Sequence, residues 1–98
     1  MEIEDAIESG QSGICTIEEI AKASGLSLAE VQALVDFGLL VPLDELIEPA
    51  RFHKDYVRTA VVARRLRDDF ELDARGVAVA LMLMRRIDAL EEELRTRR

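Results

Sequence analysis

Ninety-eight residues, 49% hydrophobic and 34% charged, provide for one small domain and one modest core, and exclude a second domain. No apolar run approaches the ~20 residues that cross a bilayer, and the acidic start Met1-Glu2-Ile3-Glu4-Asp5 lacks the positive n-region of a signal peptide, so a cytoplasmic location is expected. The net charge of −7 is unevenly shared: residues 1–49 hold eleven acids against one base, Lys22, a balance of −10, whereas residues 50–98 hold twelve bases against nine acids, a balance of +3. The first half should repel phosphate and attract basic surfaces.

Residues 1–13 end in Ser9-Gly10-Gln11-Ser12-Gly13 and read as a flexible arm, with Ile3, Ala6 and Ile7 able to form at most a marginal amphipathic turn. Residues 14–98 read as a single, mainly α domain. Thr16-Ile17-Glu18-Glu19 is a capping box that predicts a short helix from about Ile17 to Ser24, stopped by Gly25. Ser27-Leu28-Ala29-Glu30 is a second capping box, opening a helix with the apolar face Val31, Leu34 and Val35 that ends near Gly38. Two short helices joined at a glycine make a helix-turn-helix pattern.

Leu39–Pro42 and Pro49–Phe52 read as two extended segments around Leu43–Glu48, a small hairpin or wing, although Leu46 and Ile47 could equally sit in a helical turn. A third helix from His53 to near Glu71 carries Tyr56, Val57, Ala60, Val61, Leu66 and Phe70 on one wide face, with Arg58, Arg64, Arg65 and Arg67 largely outside it. Asp73 is a good N-cap for a fourth helix, Ala74 to about Arg95, whose Ala80, Leu83, Ile87, Leu90 and Leu94 step by 3, 4, 3 and 4. That spacing is a heptad seam. A second row, Val77, Leu81 and Met84, can face the domain itself while the seam faces a partner subunit, which predicts a homodimer.

Catalysis finds no residues to rest on. His53 reads as a surface or helix-start residue, Cys15 as a small buried hydrophobe, and there is neither a phosphate-binding glycine loop nor a Gly-x-Ser-x-Gly elbow. One Cys and one His cannot supply a disulfide or a zinc ligand set, and no metal or cofactor is expected. Nucleic-acid binding, the usual inference from a helix-turn-helix, is disfavoured: the helix from Leu28 to Phe37 has no Lys or Arg and only Gln32 to read a base edge, while Glu30 and Asp36 oppose a polyanion. Arg64, Arg65 and Arg67, with Arg95, Arg97 and Arg98, remain a candidate basic patch for a small DNA-binding regulator.

The stretch TIEEIAKASGLSLAEVQALVDFGLLVP, Thr16 to Pro42, resembles the helix-turn-helix of the MerR superfamily, including its Gly-Leu-Leu-x-Pro exit at Gly38 to Pro42. RRLRDDFELDARGVAVALMLMRRIDALEEEL, Arg64 to Leu94, resembles the chaperone-modulator CbpM family through Leu66, Arg67, Leu72, Asp73, Gly76, Ala78, Val79, Ala80, Leu81, Leu83, Met84, Ile87 and Leu90. Ala74-Arg75 departs from the Trp-Pro pair frequent there. The resemblance implies a MerR-like winged helix-turn-helix, followed by two longer helices, that binds the J-domain of a DnaJ/CbpA-like co-chaperone and inhibits its stimulation of Hsp70. A J-domain presents a basic helix, which agrees with the acidic first half. The contact residues are expected to be Glu18, Glu19, Glu30 and Asp36 with the apolar neighbour Leu28, and the dimer interface Ala80, Leu83, Ile87, Leu90 and Leu94.

Overall fold

The computed structural model describes residues 13–97; residues 1–12, on which the expected turn of Ile3, Ala6 and Ile7 falls, and Arg98 lie outside the described residues. The elements in chain order are β1 (Ile14–Cys15), α1 (Ile17–Ser24), α2 (Leu28–Asp36), β2 (Phe52–His53), α3 (Tyr56–Phe70) and α4 (Ala74–Thr96). Both capping boxes form as expected. Thr16 Oγ1 accepts from the Glu19 amide at 3.2 Å while Glu19 Oε1 accepts from the Thr16 amide at 2.8 Å, and Ser27 and Glu30 exchange the same pair of bonds at 3.0 and 2.9 Å. Asp73 caps α4 by accepting from the Gly76 amide at 2.8 Å.

The turn between α1 and α2 needs a glycine for two reasons. Gly25 has φ of 91°, in the left-handed region, and a Cβ there would stand 2.7 Å from Arg64 Cδ. The arginine lies so close because its Nε donates to the Ser24 carbonyl at 2.8 Å, bracing α3 against the end of α1.

The core is aliphatic apart from Phe52, whose ring meets Tyr56 edge-on at 6.4 Å. Ile20, Val31, Leu34, Leu39, Leu40, Val57, Ala60, Ala63, Val77, Ala78 and Leu81 close it from all four helices and the exit of the helix-turn-helix. Cys15 is fully buried among them, as its apolar neighbours suggested, and burial, with the Glu19 carboxylate nearby, pushes its thiol up to about 11. Such a thiol is inert at neutral pH.

Three expectations are corrected. The wing is not a hairpin of Leu39–Pro42 with Pro49–Phe52: β2 pairs antiparallel with β1, Cys15 opposite Phe52 and Ile14 opposite His53, because that register buries both Cys15 and Phe52. His53 accordingly lies in β2, and α3 starts three residues later at Tyr56. α3 packs Tyr56, Val57, Ala60, Val61 and Leu66 of its expected face against the core, but not Phe70. Its buried positions are Val57, Ala60 and the unforeseen Ala63, small enough for neighbouring helices to approach, while Phe70 in the last turn is 66% exposed.

Candidate partner-binding site

The exposed surface of α2 and the start of α1 face the loop from Pro42 to Ala50, leaving a groove of about 600 Å³ between them. Its floor is apolar, from Ile17, Val35 and Phe52; Leu28, Ala29 and Gln32 form one wall and Pro42, Glu48, Pro49 and Ala50 the other. The two charged residues lining it, Glu18 and Glu48, are both acidic. Gln32, the one base-reading side chain of α2, donates to Asp36 Oδ1 at 3.0 Å instead of pointing free into solvent.

The five expected contact residues therefore divide. Glu18 and Leu28 line the groove and are exposed. Asp36, exposed at the end of α2, is tied to Gln32. Glu19 is exposed, with one carboxylate oxygen held by its capping box. Glu30 faces away, toward α3: besides its cap, its Oε1 accepts from Arg67 NH1 at 2.7 Å, with both side chains about one-third exposed. Glu48 was missed; its signal was a loop, Leu43–Glu48, that alternates acids with large apolar residues.

The candidate basic patch is partly consumed within the fold. Arg64 binds the Ser24 carbonyl and, at 3.2 Å, Asp68; Arg67 binds Glu30 and, at 2.9 Å, Asp68. The Arg67 hydrogen bond, helped by Arg64, holds the Asp68 carboxyl below the usual carboxylate range. Arg65 and Arg58 stay exposed. Arg85, not singled out by the sequence, donates from NH2 to the Leu39 carbonyl at 2.7 Å and ties α4 to the exit of α2.

On α4 the row expected to face the domain does so through Val77 and Leu81 but not through Met84, which is 42% exposed. Val77, Ala78 and Leu81 are buried, whereas every described residue from Met82 onward is exposed. The expected seam residues Leu83, Ile87, Leu90 and Leu94 stand about a third of a turn away from the buried row, with Leu83 58% and Leu94 64% exposed and Ala80 half-buried. Among the described residues there is no group of His, Cys, Asp and Glu arranged for a metal ion, and no helix long and apolar enough to cross a membrane.

Two capped helices joined at a left-handed glycine, a wing-like loop and two longer helices define a MerR-type helix-turn-helix protein, and residues 15–98 match the model of the MerR HTH family regulatory proteins. The chain is also 34% identical over 82 residues to the chaperone modulatory protein CbpM of Salmonella arizonae, a match covering 82% of this chain and 79% of that relative. It belongs to the MerR HTH family and, within it, to the CbpM family.

Proposed function

We propose that this protein is a chaperone modulator that binds the J-domain of a DnaJ/CbpA-like co-chaperone through its acidic helix-turn-helix half and blocks J-domain stimulation of Hsp70. The observation that carries this reading is the groove between α1, α2 and the wing, whose lining has two carboxylates and no cation. A helix-turn-helix that reads DNA needs cations at this face to release counterions from the phosphates. Here the face repels a duplex and complements a basic helix. Glu18 and Leu28 supply direct contact, while Glu19, Glu30 and Asp36 add to the negative field. In this reading the protein is a cytoplasmic homodimer, joined along Ala80, Leu83, Ile87, Leu90 and Leu94, and uses neither cofactor nor metal.

The test is inhibition of J-domain-stimulated ATP hydrolysis by wild type and by Glu18→Lys, Asp36→Lys, Glu48→Lys combined. Glu19 and Glu30 are left alone because they hold the caps of α1 and α2. Rim charges contribute under ~1 kcal/mol each, so single reversals are too small to decide the matter. The folded triple variant is expected to lose inhibition, and the wild-type association rate to fall with rising salt as charge attraction is screened over ~8 Å at physiological ionic strength. A triple variant that inhibits like wild type would misplace the face. A wild-type protein that ignores the J-domain but shifts its native upstream DNA would replace this reading with a regulator's.

A further inference from the structure

The loop that forms one wall of the groove ends in an apolar tip that the fold does not use. Leu46 is 93% exposed, and Val41, Leu43 and Ile47 are each about half exposed. Scattered surface apolar residues are ordinary, but four within seven positions make a patch. The tip is held in place by its own backbone. The Leu43 amide donates to the Arg51 carbonyl at 2.8 Å and closes the base. Asp44 orders the turn, its carboxylate accepting from the Leu46 amide at 2.9 Å and its carbonyl from the Ile47 amide at 3.2 Å. The tip runs without interruption into the groove, since Pro42 and Glu48 on either side of it are both groove-lining.

We infer that the wing tip, Leu43–Glu48, is the apolar anchor of the binding site and that its occupant is an amphipathic helix of a partner protein bearing both an apolar and a basic row. This rests on the reading above that the acidic half is the binding face, and adds to it which residues grip and what they grip. Charge complementarity selects the occupant. Leu46 and Ile47 are interleaved with Asp44, Glu45 and Glu48, and Glu18 lines the same groove as Glu48, so an apolar ridge flanked by cations meets both features at once. An anionic membrane or a duplex would be repelled. A second wing tip would bring like charges together. The ordered turn adds affinity because little conformational entropy remains to be lost on binding.

The full-length protein, labelled with nitrogen-15, is titrated with the J-domain of its DnaJ-like co-chaperone, with a synthetic Lys/Leu amphipathic helix, and with the Glu/Leu counterpart of that helix. Amide shifts at residues 43–48 are expected with the first two ligands and not with the third. Leu46→Ser with Ile47→Ser removes apolar area without altering charge or touching the core. This variant is expected to keep its circular dichroism and to bind both ligands ~10-fold or more weakly, as loss of a central anchor does. Unchanged affinity for both, equal binding of the Glu/Leu helix, or a variant that differs from wild type in oligomeric mass would each overturn the anchor. Its failure is distinguishable from failure of the J-domain reading. A Lys/Leu helix bound at the tip with no J-domain binding removes the J-domain and keeps the anchor; a J-domain bound equally by wild type and variant does the reverse. If neither ligand binds, both fall.

Discussion

The helix-turn-helix and the outer half of α4 are both built from amphipathic helix, yet they dispose of their apolar residues in opposite ways. Ile20 and Ala21 of α1 and Val31 and Leu34 of α2 are buried against α3, α4 and each other. Beyond Leu81, α4 buries nothing among the described residues while still presenting Leu83, Ile87, Leu90 and Leu94 at heptad spacing. Its 23 residues extend roughly 34 Å at 1.5 Å per residue, more than the small domain covers. Amphipathic periodicity thus identifies the face that seeks a partner and does not distinguish an intramolecular partner from an intermolecular one.

That contrast can be broken by substitutions on either side. The largest effect is expected from Phe52→Ala, which removes the largest fully buried side chain and its edge-on contact with Tyr56. A loss of about 3–5 kcal/mol in urea unfolding is expected, and a loss below about 1 kcal/mol would mean that β2 is not part of the core. Gly25→Ala is expected to cost about 2 kcal/mol, from the left-handed backbone and the displacement of Arg64. An unchanged midpoint would show that the α1–α2 turn can relax.

Cys15 supplies a pH test. Its thiol ionises near 11 in the native state against 9.0 without the fold, so between those values the unfolded chain gives up a proton that the native chain keeps. Stability from this group is complete below pH 9 and lost as pH rises toward 11, a decline on the order of 2 kcal/mol. Comparing urea unfolding of wild type and Cys15→Val at pH 8 and 10.5 isolates it; equal pH dependence of the two proteins would refute it. The smallest effect on the folded subunit is expected from Leu83→Glu with Ile87→Glu, within about 0.5 kcal/mol per site because neither side chain is buried in the subunit. The same pair should abolish self-association in analytical ultracentrifugation. A wild-type chain that stays monomeric at high micromolar concentration would sink the seam.

The starts of α1, α2 and α4 and both helix-turn-helix stops were legible because capping is local, whereas α3, which has no side-chain cap bond at Asp55, starts three residues later than expected. Thr16 and Glu19, Ser27 and Glu30, and Asp73 and Gly76 satisfy one another across three residues, whatever the rest of the chain does. The acidic character of the candidate face was legible too, since charge adds over a segment without needing a fold. The contacts that shape the site were not. Arg64 reaches Ser24 across 40 residues, Arg67 reaches Glu30 across 37, and Arg85 reaches Leu39 across 46. Only the packed structure decided that two of the arginines of α3 serve the fold, that Glu30 turns inward, and that β2 takes its partner from Ile14–Cys15. It also brought Glu48 into the same groove as Glu18. The physical reason is that helical periodicity and caps are set by bonds within a turn, whereas which helix an arginine crosses and which strand a two-residue edge finds depend on burying Cys15 and Phe52 together. That burial is a property of the whole core.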